Sequence, residues 1–113
     1  MSQIMSPDLP IELDDFDCIC DTAGYAIGYW AREAILGDTR YIVIDDEDGR
    51  EYTVTPELLQ TVMIDVALRK YDLHDGIVNA TRLAVFDKEY GEIDSDAADV
   101  LIQIACFGEV VYG

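Results

Sequence analysis

Three kinds of side chain in this chain could do chemistry by type: thiols, a single imidazole and a large stock of carboxylates. The thiols are Cys18, Cys20 and Cys106, an odd number with no spacing that suggests a disulfide framework. Cys18-x-Cys20 lacks the two-residue gap of a zinc knuckle, and no His or second Cys pair stands near it. Buried thiols in a reducing cytoplasm are therefore expected, with Cys20 on an apolar helix face. His74 lies in the polar break Asp72-Leu73-His74-Asp75, where a surface turn residue is expected, and no local motif pairs it with a cysteine. With 24 acids some carboxylate pair is inevitable, so a pair by itself carries no information about acid–base catalysis.

The run Asp45-Asp46-Glu47-Asp48-Gly49 has the composition of a calcium loop. An EF-hand, however, needs an oxygen ligand five residues before its Gly, and that position is Ile44. A solvated turn is the better reading. Neither a phosphate-cradling G-x-x-x-x-G-K-[ST] nor a strand followed by G-x-G-x-x-G is present. No catalytic residue, metal or cofactor is expected, and the chain does not read as an enzyme.

The carboxylates matter instead as a charge distribution. There are 24 Asp and Glu against 7 Lys and Arg, a formal net charge of −17, whereas a small domain is comfortable with a magnitude of about 2 to 8. From Met1 to Ala31 there are six acids and no base. Direct binding to nucleic acid is disfavoured, because phosphates need Lys and Arg to displace their counterions, and anionic membranes are disfavoured likewise. No apolar run approaches the roughly 18 residues that span a bilayer, and Met1 to Pro10 lacks the basic start and apolar core of a signal peptide. The expectation is a soluble, cytoplasmic protein.

These residues have to be positioned by a fold. A length of 113 residues suits one domain, read as a flexible arm over 1–10 and a single α+β domain over 11–113. Leu13, Phe16, Ile19, Cys20, Ala23, Ile27, Trp30 and Ala34 fall at the spacing of one helical face, which predicts a long first helix that stops near Gly37. Asp14, Asp17 and Asp21 form an acidic stripe on its other side. Gly24 and Gly28 weaken that helix and suggest a backbone packed closely over it. Tyr25 and Tyr29, four apart, are candidates for an interface, while Trp30 belongs to the core.

Arg40–Asp45 and Glu51–Val54 read as a hairpin around the acidic turn. Thr55-Pro56-Glu57 starts a second helix that runs to about Tyr71 and buries Leu59, Val62, Met63 and Val66. A third is predicted from Ile77 to about Lys88, with Ile77, Ala80, Leu83 and Ala84 inward. A fourth is capped by Ser95 with Asp99, or by Asp94, and runs to Gly108. The tail Glu109–Tyr112 is read as a short strand beside the hairpin or as an edge for a homodimer. The predicted fold is thus a small antiparallel sheet packed with about four helices.

Ala23-Gly24-Tyr25-Ala26-Ile27-Gly28-Tyr29-Trp30-Ala31 resembles the GGIxYWA helix of a family of small acidic proteins from actinobacteriophages and related actinobacterial genomes. The end of the chain, Asp94 to Gly113, which includes Asp96-Ala97-Ala98-Asp99-Val100-Leu101, resembles that family's closing signature. Tyr25-Ala26 departs from it where a second Gly is more usual. The resemblance implies a phage origin and an accessory role in the infected cell, and it transfers no catalytic residue.

The function expected is binding and inhibition of a host protein. One form of this is an acidic DNA mimic that occupies the groove of a basic nucleic-acid-binding protein. The candidate contact residues are Asp14, Asp17, Asp21, Tyr25, Tyr29, Asp45, Asp46, Glu47 and Asp48. A merely solubilising surface is the plain alternative. A second function, a small-molecule binder such as a nucleotide-signal sponge, would need Arg32, Arg40 and Tyr29 to converge on one concave site.

Overall fold

The computed structural model describes residues 11–112; the arm read over 1–10 lies outside them. Helix α1 (Leu13–Gly24) leads through a 3₁₀ turn (Ile27–Tyr29) into strands β1 (Ala31–Leu36), β2 (Tyr41–Asp45) and β3 (Glu51–Val54). Helices α2 (Pro56–Ala67), α3 (Asp75–Asp87) and α4 (Ser95–Phe107) follow. The strands form one antiparallel sheet in the order β1-β2-β3, so the protein is a small α+β fold. No helix among the described residues is long and apolar enough to cross a membrane.

Helix α4 is the centre. Ala97, Ala98, Leu101, Ile102 and Ile104 are buried on several of its sides, as expected of a helix enclosed by its neighbours. It packs against α1, α2, α3 and β3. Its ends are set locally: Asp94 accepts from the Ala97 N–H at 2.9 Å, and Gly108 closes it in the left-handed conformation at φ 80°. Asp94, rather than Ser95 with Asp99, is therefore the cap. Thr55 caps α2 through the Leu58 N–H at 3.1 Å, with Pro56 in the first turn as predicted.

Five expectations are corrected. The first helix ends at Gly24, and Ala31–Leu36, read as its continuation, is the edge strand β1. Gly24 and Gly28, with the aromatic residues Tyr25, Tyr29 and Trp30, weaken the helix, and pairing with β2 recruits the remainder. The glycines do not mark a close backbone: a Cβ at Gly24 would meet only the Tyr41 hydroxyl at 3.7 Å, and one at Gly28 would meet nothing within 4 Å. The second helix stops at Ala67 rather than near Tyr71, and Arg69 turns the chain at φ 60°. The tail is no strand; it docks on α4 through a side chain described below. In α3, which starts two residues earlier than predicted, Leu83 faces outward while Val78, Ala80, Thr81, Ala84 and Val85 are buried.

Candidate functional site

Two buried polar residues of α4 organise the surface that carries the candidate tyrosines. Asp99 and Gln103 are four apart and so point the same way from the helix. The Asp99 carboxylate accepts from the Tyr29 hydroxyl at 2.6 Å, from Trp30 Nε1 at 2.9 Å and from Gln103 Nε2 at 2.9 Å. Three donors without a cation thus satisfy a buried acid, which would otherwise be costly. Gln103 in turn holds the tail. Its Oε1 accepts from the N–H groups of Val111 and Tyr112 at 2.9 and 2.8 Å, and its Nε2 donates to the Tyr112 carbonyl at 3.0 Å.

Tyr112 links this centre to the acidic turn. Its ring stacks on Trp30 with centroids 5.6 Å apart, Phe107 meets both rings edge-on, and its hydroxyl donates to the Asp45 carboxylate at 3.2 Å. The Asp46 N–H donates to the Trp30 carbonyl at 3.0 Å, so the turn is fastened to the core on a second side. Removal from water raises the Tyr29 and Tyr112 hydroxyls to about 12, and the carboxylate each one bonds to adds to the effect. Gln103 is absent from the residues that the sequence singles out, and Asp99 enters there only as a helix-cap partner of Ser95. Their signal was present, as two polar side chains one turn apart inside an otherwise apolar helix.

The predicted contact residues separate into three groups. Asp14 and Asp21 are exposed on α1, whereas Asp17 is half-buried with its Oδ1 enclosed. Asp46, Glu47 and Asp48 are exposed at the β2–β3 turn, but Asp45 is buried at 5% exposure and accepts from the Glu47 N–H. Asp45 is thus a structural acceptor, not a contact residue; in the β2 pleat its side chain turns inward with Tyr41 and Val43. The structure joins α1 to the turn through Arg32, which lines the same groove as Asp21 and reaches Asp46 at 3.6 Å.

Tyr25 is 84% exposed just past α1. Tyr29 belongs elsewhere, in a groove with Ala26, Ile77, Val100, Val110 and Tyr112 that Asp96 borders. Its ring is 58% exposed although its hydroxyl is held, so it offers a fixed aromatic face.

Among the described residues no ion pair involves an acid of α1, although Lys88 acts on Asp15 and Arg40 lines a groove with Asp14. Arg69 pairs with Asp75 and Lys70 with Asp65, while Arg82 donates to the Ala67 carbonyl and covers the Phe86 ring. Arg32, Arg40 and Tyr29 line three different depressions and do not converge on one ligand. His74 caps α3, accepting from the Gly76 N–H through Nδ1 at 3.0 Å. Burial raises the Cys20 thiol and pushes Cys106 up to about 12, so neither is a reactive thiolate, and Cys18 is exposed. No cluster of metal-ligating side chains occurs among the described residues. Comparison of the chain with protein-family models, curated proteins and solved structures gives no match.

Proposed function

We propose that this protein is a binding module that engages a basic partner through the acidic flank formed by α1 and the β2–β3 turn. Asp14, Asp21, Asp46, Glu47 and Asp48 provide the field, and Tyr25, exposed at the end of α1, provides apolar anchorage. In keeping with the resemblance noted above, the partner would be a host protein inhibited by a phage accessory factor. The observation that carries the reading is the exposed acid of α1, which enters no ion pair among the described residues and faces Arg32, the residue that reaches Asp46 of the hairpin turn.

Charge density limits how literal a DNA imitation can be. Asp14, Asp17 and Asp21 are spread over seven residue steps of helix, about one charge per 5 Å along its axis. One strand of duplex DNA carries about one per 3.4 Å. The α1 row alone is therefore too sparse, and the turn acids must complete the surface that a basic groove would meet.

Affinity capture from an actinobacterial lysate tests this. The tagged chain should retain a basic nucleic-acid-binding protein at low salt, release it at high salt and lose it to competing duplex DNA. Asp14→Lys with Asp21→Lys, and separately Asp46→Lys with Asp48→Lys, should each abolish retention. Tyr25→Ala, at a largely exposed side chain, should weaken it without altering the salt response. A complex indifferent to salt and to both charge reversals would overturn the proposal.

A further inference from the structure

Strand β1 is the unprotected edge of the sheet. Among the described residues nothing pairs with its outer side, and only Ala31 of its six residues is buried. Ile35 and Leu36 are 49% and 38% exposed on opposite faces of the strand. The other edge, β3, is four residues long and begins with the exposed acid Glu51. Proteins usually blunt a free edge with charge, proline or a bulge. Here the irregularity between Ala31 and Glu33 and the charges of Arg32 and Glu33 protect only the first half, leaving Ala34-Ile35-Leu36 open.

The ladder shows which backbone groups are free. The Gly37 N–H donates inward to the Arg40 carbonyl at 2.9 Å, and Leu36, Ile35 and Ala34 pair with Tyr41, Ile42 and Val43. Antiparallel pairing alternates, so Ile35 bonds inward while Ala34 and Leu36 turn their N–H and C=O groups to the open side. Two such edges related by a two-fold axis bond to each other when Ala34 of one copy faces Leu36 of the other.

That register is self-complementary in its side chains as well. Centred on Ile35, it sets Ile35 against Ile35 of the second copy, Glu33 against Gly37, and Arg32 against Asp38. On the outer face Ile42 continues the row beyond Ile35 in each copy. The competing register, centred on Ala34, would instead oppose Glu33 to Ile35 and Arg32 to Leu36. We infer that a second copy of this chain occupies the β1 edge, joining two sheets into one of six strands. Residues 32 to 38 carry one Arg against Glu33 and Asp38, a net charge of −1, so the pairing edge is only weakly charged within a strongly negative protein. A single pair of short strands buries less than the roughly 1,600 Å² of a standard stable interface, so the dimer is concentration-dependent.

Sedimentation velocity on the full chain over a range of micromolar concentrations tests this. It should show a species of twice 12.6 kDa that holds or strengthens as salt rises from about 50 to about 500 mM, because screening weakens like-charge repulsion. Binding to a basic partner responds to salt in the opposite direction, so the two proposals fail separately. Ala34→Pro removes an outward N–H without breaking a bond to β2, and it should weaken the dimer at least about tenfold, as should Ile35→Lys. Far-UV circular dichroism of both variants controls for folding.

In a Cys18→Ser background, Ile35→Cys should oxidise to a covalent dimer. Residues opposed in a non-hydrogen-bonded pair lie about 4.5 Å apart at Cα, within disulfide reach. A monomer at every concentration and salt would overturn the inference, and so would a dimer that survives both edge variants or that fails to cross-link through residue 35.

Discussion

Asp99 is a buried acid that no cation balances. The Trp30 indole, the Tyr29 hydroxyl and the Gln103 amide do so together. Replacing it with Ala leaves the buried indole N–H without an acceptor, and the expected loss is about 2–4 kcal/mol, read as a shift of the urea midpoint with its slope unchanged. Asp99→Asn keeps an oxygen for Trp30 and should lose clearly less. A loss below about 0.5 kcal/mol for the alanine variant would show that the network does not hold the fold.

The same hydroxyls predict an alkaline transition. Tyr29 and Tyr112 move from 10.0 in the free side chain to about 12 in the fold. The fold therefore favours their neutral forms. That stabilisation is complete below pH 10 and is lost as pH rises through about 12. Tyrosinate absorbance should show late-titrating tyrosines that ionise together with unfolding, and Tyr29→Phe should remove one of them. Ionisation of every tyrosine near pH 10 with the fold intact would contradict the hydrogen bonds at Asp99 and Asp45.

At the scale of elements, the tail is held by one side chain rather than by a strand ladder. Gln103 accepts from two consecutive N–H groups and donates to a carbonyl, much as a neighbouring strand would. Gln103→Leu preserves bulk but leaves those backbone groups without partners. It should raise the hydrogen-exchange rates of Val111 and Tyr112 to those of an unprotected terminus, at a stability loss of about 1–2 kcal/mol, with helix content unchanged. Retained protection at those two amides would mean that Trp30 stacking alone docks the tail. Because Tyr112 also bonds Asp45, the variant should loosen the acidic turn too, which couples tail order to the proposed binding surface.

For the whole molecule, a net charge of −17 stands against three ion pairs at the surface of the described residues. Exposed pairs contribute about 0–1 kcal/mol each and weaken with salt, whereas self-repulsion is relieved by it. Repulsion dominates, so the melting temperature of dilute monomer should rise by about 2–5 °C between low and high salt. A fall would mean that local ion pairs, not the net field, govern stability, and would weaken the case for a long-range acidic surface.

Much of this architecture is written in local chemistry. Thr55-Pro56, Asp94 and Gly108 mark helix ends that need no tertiary partner to be recognised, and the spacing of Leu59, Val62, Met63 and Val66 selects the buried face of α2. The hairpin was equally legible, because β-branched runs flank an acidic turn that ends in glycine. What sequence reasoning mistook is the stretch after Gly24. Its apolar spacing continues the helix without a break, and Ala-Arg-Glu-Ala-Ile-Leu favours helix on its own. Only pairing with β2 and the anchoring of Trp30 to Asp99, 69 residues away, make it a strand. The exposed acids of α1 and the turn were likewise evident from composition and spacing. That Asp45 turns inward, that Tyr29 is bound at its hydroxyl and that Gln103 holds the tail depend on contacts distant in sequence. The sequence by itself determined the helix ends, the hairpin and the charge; tertiary structure decided the third strand and the buried polar centre, because long-range hydrogen bonds override local propensity.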